Sequence, residues 1–147
     1  MAKQRCAVLT GAGISTDSGI PDYRGGGTAQ RARSPMRFQE FAGHIEDRRR
    51  YWARATLGWQ KIRDARPNEG HRALTSLREA GYLSGLMTQN VDGLHEKAGF
   101  KDAVELHGAL HQVICLDCGL LSDRDELHQE LLDVNPNWLD NNAAFAP

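Results

Sequence analysis

The sequence predicts an α/β fold built on a parallel sheet. Three observations carry this expectation. Short apolar stretches at Cys6–Thr10, 82–88 and 103–106 read as strands; helical patterns lie between them; and a glycine-rich turn, Gly11-Ala12-Gly13, follows the first strand directly. A strand that runs into small residues and then a helix start lets backbone N–H groups approach a pyrophosphate closely, and the helix start favours its negative charge.

Each element follows in order. Cys6–Thr10 reads as a buried central strand, with Cys6 a small apolar core residue. Residues 14–19 form a short helix ended by Gly19 and Pro21. Residues 23–35, YRGGGTAQRARSP, carry three consecutive glycines and no periodicity, and read as loop. Helices are expected over 36–43 and 45–59, the second with Tyr51, Trp52, Ala55 and Trp59 on one face. The basic run Arg48-Arg49-Arg50 reads as a solvated helix face. Pro67 breaks the chain, Asn68 caps a helix bearing His71, Leu74, Leu77 and Ala80, and Gly81 ends it. The second strand is 82–88, a short helix over 93–98 ends at Gly99, and the third strand is 103–106. Residues 113–119 suggest a zinc-ribbon knuckle. The final stretch, DVNPNWLDNNAAFAP, has little periodicity and reads as disordered.

With 147 residues, 18 basic and 19 acidic, the chain has the size of one domain and no general attraction to nucleic acid or membrane surfaces. No apolar run approaches the roughly 20 residues of a membrane span. MAKQR leads into the first strand without a signal-peptide pattern, so a cytoplasmic location is expected. Three cysteines, two of them in a C-x-x-C, fit a metal or redox role in a reducing compartment better than a disulfide framework.

Three polar clusters follow the strand candidates. The first is Ser15, Asp17, Ser18, Asp22 and Arg24, beside the glycine turn; Thr16 stands where the simple G-x-G-x-x-G fingerprint needs glycine. The second is Gln89, Asn90 and Asp92, whose amide and carboxylate groups can hold a ribose and a carboxamide, or simply form a strand-to-helix turn. The third is His107, a strand-end imidazole able to take a proton near neutral pH, or a polar residue with no catalytic duty. Cys115 and Cys118 can form half of a four-cysteine zinc site, a local site with His107 or His111, or a redox dithiol. His95 is expected to pack locally or bond backbone.

GAGIS followed by SGIPDYR, then TQNVDGLHEKAG, then ELHGALHQVICLDCG, in this order, resemble the sirtuins, NAD-dependent protein lysine deacylases. The resemblance implies a Rossmann-like, doubly wound parallel sheet with a zinc module inserted into it. It implies that Gly11, Ala12, Gly13, Ile14, Ser15, Asp22, Tyr23, Arg24, Gln89, Asn90, Val91 and Asp92 bind NAD. Tyr23 stands where most relatives carry phenylalanine, which keeps the aromatic face; Arg24 pairs with a phosphate or with Asp22. His107 matches the family's general base. In the implied reaction the acyl oxygen of an acyl-lysine protein attacks C1′ of the nicotinamide ribose, nicotinamide leaves, and a ribose hydroxyl deprotonated by the histidine attacks the resulting imidate. O-acyl-ADP-ribose and free lysine follow. Cys115 and Cys118 match one half of a structural zinc site.

The resemblance divides the chain into residues 1–112, part of the NAD-binding domain, and 113–147, an incomplete zinc module. The family needs a second C-x-x-C and further strands, so the chain is expected to be an N-terminal fragment, or a product truncated in the zinc module, inactive on its own. TAQRARSPMRFQEF followed by RRRYWARATLGW resembles the bacterial and mitochondrial class II sirtuins. In a different class a Tyr-x-x-Arg pair recognises acidic acyl groups; Tyr51 and Arg54 have that spacing, or are a core tyrosine and a solvated charge. Mono-ADP-ribosyl transfer on the same fold, and an inactive fragment, are the alternative readings.

Overall fold

A computed structural model describes residues 5–22 and 36–145. The chain divides into two compact units, one taking in Met1–Arg31 and Asp64–Leu110, the other Ala32–Arg63 and His111–Pro147. The units are discontinuous in sequence, where the sequence alone suggested one break after residue 112.

The first unit is α/β. Strands β1 (Cys6–Thr10), β2 (Leu83–Thr88) and β3 (Ala103–Glu105) form a parallel sheet in the order β1-β2-β3. Thr10 lies opposite Thr88, and Thr88 opposite Glu105, so the three strands end level with one another. The core is Leu83, Leu86 and Phe100, packed against Val8, Leu74 and Ala103. Burying each such side chain stabilises the fold by about 2 kcal/mol.

Local chemistry fixes the connections. A 3-10 turn, Ala12–Ser18, follows β1 and ends at Gly19 (φ 82°). Helix α3 (Glu69–Glu79) starts at Asn68, whose side chain accepts the N–H groups of Gly70 and His71. It stops before Gly81, whose φ of 79° is left-handed and suits glycine. Helix α4 (Leu94–Lys97) ends the same way at Gly99 (φ 94°), with Phe100 N–H donating to the His95 carbonyl.

The second unit contains α1 (Phe38–Gly43), α2 (Ile45–Asp64), a hairpin of antiparallel strands β4 (Gln112–Ile114) and β5 (Leu121–Asp123), α5 (Arg124–Val134) and α6 (Trp138–Asn142). The Arg124 guanidinium lies 5.3 Å from the Trp52 ring centroid and 4.9 Å from that of Trp59, and it donates to the Ala55 carbonyl. Trp59 Nε1 donates to Asp125 at 2.6 Å. These contacts tie α5 to α2 by packing a delocalised cation on aromatic faces. Tyr51 packs edge-on to Phe41 and Trp52, and Arg54 is exposed.

Four expectations are corrected. β1 is not a buried central strand: it is an edge of the described sheet, Cys6 is exposed, and Leu9 lies on a sheet face that is also exposed at its register partners Met87 of β2 and Val104 of β3. Helix α2 runs to Asp64, five residues beyond the expected end, its last turn carrying Lys61 and Arg63, which suit the negative helix terminus. The basic run is a solvated face only in part: Arg49 and Arg50 are exposed and pair with Glu46 and Asp47, whereas half-buried Arg48 caps the carbonyls of Phe41 and Ala42. The last stretch is not disordered through residue 145: its start completes α5, and Trp138–Asn142 is helical, with Trp138 N–H on the Asn135 carbonyl. Among the described residues no helix is long and apolar enough to cross a membrane.

Candidate functional site at the ends of the parallel strands

Three loops leave the first unit's sheet at the level ends of β1, β2 and β3, and backbone bonds lock them together. Gln89 N–H donates to the Thr10 carbonyl and Leu106 N–H to the Thr88 carbonyl. An open α/β sheet places its ligand at this edge, beyond the carboxyl ends of the strands.

The first loop carries Gly11, Ala12, Gly13, Ile14 and Ser15. A Cβ at Gly11 or Gly13 would meet nothing within 4 Å, and neither has a positive φ. The protein's own packing therefore does not demand glycine there. The absent side chains leave the loop backbone open to a ligand. Ser15, fully buried, donates to Asp92 Oδ2 at 2.7 Å and accepts from Asn90 Nδ2 at 3.1 Å.

The second loop supplies those partners. Asn90, 8 % exposed, has its N–H on the Thr88 hydroxyl and a second Nδ2 bond to the Gly11 carbonyl at 3.2 Å. Asp92 caps α4 with its other oxygen, accepting Leu94 N–H at 3.0 Å. Val91 accepts Leu110 N–H through its carbonyl, and the Gln89 side chain is exposed. Ser15, Asn90 and Asp92 thus form one bonded wall joining the first loop to the second, fixed before any ligand arrives.

His107 leaves β3 into solvent. Its Nδ1 is 3.0 Å from the Gln89 carbonyl oxygen. A carbonyl only accepts, so Nδ1 carries a proton, and in the neutral ring Nε2 is the acceptor. That is the tautomer a general base needs, held by a backbone contact beside the pocket wall.

Asp22 is half-buried at the end of a described segment. Tyr23 and Arg24 lie outside the described residues. Cys115 and Cys118 are both exposed in the β4–β5 turn of the second unit. Backbone N–H groups of Cys118 and then Asp117, with the Cys118 side chain, hold the Cys115 thiol below its usual range. Among the described residues no group of three or more His, Cys, Asp or Glu can hold a metal.

Sequence reasoning missed Asn68 and Thr88 as parts of this site. Asn68 Nδ2 donates to the Ile14 carbonyl at 2.7 Å and to Ser18 Oγ at 3.0 Å, while the Thr88 hydroxyl holds Asn90. Asn68 was visible as a helix cap, but nothing local showed that its second amide arm reaches the loop.

Residues 11–140 match the Sir2 family. NAD-dependent protein deacetylase 1 of Streptomyces coelicolor is 53 % identical over 140 residues, covering 95 % of this chain and 44 % of its own length. NAD-dependent protein deacetylase 3 of Pseudomonas syringae pv. tomato is 50 % identical over 147 residues, covering 100 % of this chain and 52 % of its own. A solved structure described as Sir2 with a p53 peptide and NAD+ superposes with a TM-score of 0.73 at 36 % identity, over 85 % of this chain and 49 % of that one. The chain spans about half the length of the curated relatives it matches. With the glycine loop, the Ser15–Asn90–Asp92 wall and His107 converging at one sheet edge, and a family match across most of its length, the chain belongs to the Sir2 family.

Proposed function

We propose that this chain carries the nicotinamide-side half of an NAD-dependent protein lysine deacylase, acting on acyl-lysine proteins and releasing nicotinamide and O-acyl-ADP-ribose. One observation carries the reading: a His107 imidazole held through Nδ1 on the Gln89 carbonyl stands at the same sheet edge as an open glycine loop and a bonded Ser15–Asn90–Asp92 wall. The relatives' deacetylase names and the NAD+ and peptide in the Sir2 structure support it.

The empty space above Gly11 and Gly13 fits a dinucleotide backbone. The loop from Gly11 to Ser15 would face the phosphates with Ala12 and Ile14, and Asp22, Tyr23 and Arg24 would close over the cofactor. Gln89, Asn90, Val91 and Asp92 would line the nicotinamide and ribose side. Bound NAD supplies a ribose–nicotinamide bond whose cleavage makes C1′ the acceptor for an acyl oxygen. His107 would accept the proton of a ribose hydroxyl at Nε2, with Nδ1–H held on the Gln89 carbonyl.

The finer reading is a class II-like sirtuin with a zinc module. Two exposed thiols on one tight turn, one of them held toward thiolate by backbone N–H groups, fit two ligands of a structural zinc. Zinc there would tie the hairpin turn; the remaining ligands are not among the described residues.

The test is nicotinamide release and peptide deacetylation in a chain completed to the relatives' length, with NAD and an acetyl-lysine peptide. We expect turnover that H107A lowers by about 100-fold or more while NAD affinity stays within threefold. Turnover unchanged in H107A overturns the assignment of the base. Labelled ADP-ribose appearing on protein without peptide deacetylation would favour transferase chemistry instead.

A further inference from the structure

Two histidines in the first unit are buried and take no part in the chemistry above. His71 is fully buried in α3 and His95 is 3 % exposed in α4, with ring centroids 4.9 Å apart and planes tilted by 57°. Burial lowers the pKa of both, that of His95 to about 4, so both are neutral at pH 7. The charges acting on the pair are Asp92, from the turn before α4, which raises both values, and Arg72 of α3, which lowers that of His71. His71 in turn lowers the value of His95. From β1 the Thr10 hydroxyl faces His95.

Each ring bonds outward to one pocket loop. His71 Nδ1 contacts Asn68 at its N–H (3.3 Å) and its Oδ1 (3.0 Å), and Asn68 Nδ2 reaches Ile14 and Ser18. His95 Nε2 lies 2.9 Å from Thr10 Oγ1, and the Thr10 carbonyl holds Gln89 N–H. The other nitrogen of each ring, His71 Nε2 and His95 Nδ1, is buried without a partner among the described residues. An apolar pair of similar shape would fill the space without leaving two unsatisfied polar atoms. The rings therefore cost stability locally, and what they supply is the two outward contacts.

We propose that His71 and His95 are positioning residues, a buried, tilted imidazole pair that sets the glycine loop through Asn68 and the Gln89–Asp92 turn through Thr10. The proposal rests on reading those loops as the NAD site. It separates from a packing role by replacing shape and hydrogen bonding independently. H95F fills the space and cannot bond Thr10; H95Q places an amide where Nε2 stood.

NAD affinity is measured by calorimetry on the 147-residue chain, with helix content from circular dichroism and amide shifts from ligand-free NMR. H95F is expected to keep the wild-type helix content and melting temperature, to bind NAD at least tenfold more weakly, and to move the Gln89 amide. H95Q is expected to restore affinity to within threefold and to return that shift. A folded H95F that binds like wild type, or a folded H95Q no better than H95F, overturns the proposal. If H95F does not fold, H95Q decides alone by the same threefold limit and the same amide. If the 147-residue chain does not bind NAD, the affinities are read in the chain completed to the relatives' length, where failure to bind sinks the NAD reading, and the Gln89 amide in H95F and H95Q still decides whether the pair positions the turn.

Discussion

At the scale of single residues, the wall of the pocket is sensitive because its members are buried and satisfy one another. Replacing Asp92 by asparagine keeps the shape but leaves the Ser15 hydroxyl facing a weaker acceptor that can also present an N–H. Replacing Ser15 by alanine leaves the Asn90 amide and the Asp92 carboxylate each short of a partner in a closed space. S15A is expected to cost about 1–3 kcal/mol of stability and to weaken NAD binding about tenfold or more. Chemical denaturation and calorimetry on the same preparation check both, and a loss of stability with unaltered affinity would remove Ser15 from the pocket. His107, Asn90 and Asp92 were legible in the sequence because strand ends in open sheets present ligand groups, and because short motifs fixed the order. Thr10, His71 and His95 were not legible as a unit: the Thr10–His95 bond spans 85 positions, and no local pattern records which imidazole a fold will bury.

At the scale of elements, the sequence was most legible where backbone geometry demands a residue type. Asn68 before α3, Gly81 after it and Gly99 after α4 were all placed from capping rules, and each stands where a cap or a left-handed turn is needed. Helix α5 was missed although its signal is present: Asp123 accepts Asp125 and Glu126 N–H groups, acidic residues fill the first turn, and Leu127 and Leu131 are four apart. Asn68 tests the coupling of element to site, because one side chain caps α3 and holds the Ile14 carbonyl. N68A is expected to lose about 1–2 kcal/mol from the cap and to lose NAD affinity as well, whereas N68D keeps the cap and lacks the amide donors. Melting temperature near wild type with reduced affinity in N68D is the expected split; normal affinity in N68D would confine Asn68 to capping. The β4–β5 hairpin makes a separate prediction. With two thiols in its turn, the 147-residue chain should hold zinc below one equivalent after dialysis, and C118S should hold less still. Tight one-to-one zinc in the monomer, measured by elemental analysis, would require ligands beyond this pair.

At the scale of the whole molecule, buried imidazoles in both units tie stability to pH. His71 and His95 in the first unit and His128 in the second all have pKa values lowered chiefly by burial. The unfolded chain takes up protons on these rings near pH 6.5, while the folded chain does so lower, near 4 for His95. A lowered folded-state value means the unfolded state binds more protons between the two, so stability rises with pH across that window. The contribution is fully present above about pH 6.5 and is lost as pH falls toward 4. Carboxylates titrate at the lower end of this range, so wild type alone does not isolate the imidazoles. H95Q removes one of them while keeping a polar group near Thr10. The melting temperature of wild type is therefore expected to fall as pH is lowered from 7 to 5, and the fall should be smaller in H95Q. Thermal melts of both proteins in matched buffers, followed by circular dichroism, give the comparison. Equal falls in the two proteins would mean that His95 titrates normally in the folded chain, and its burial would then have to be relieved by a water or a local opening that the described contacts do not include.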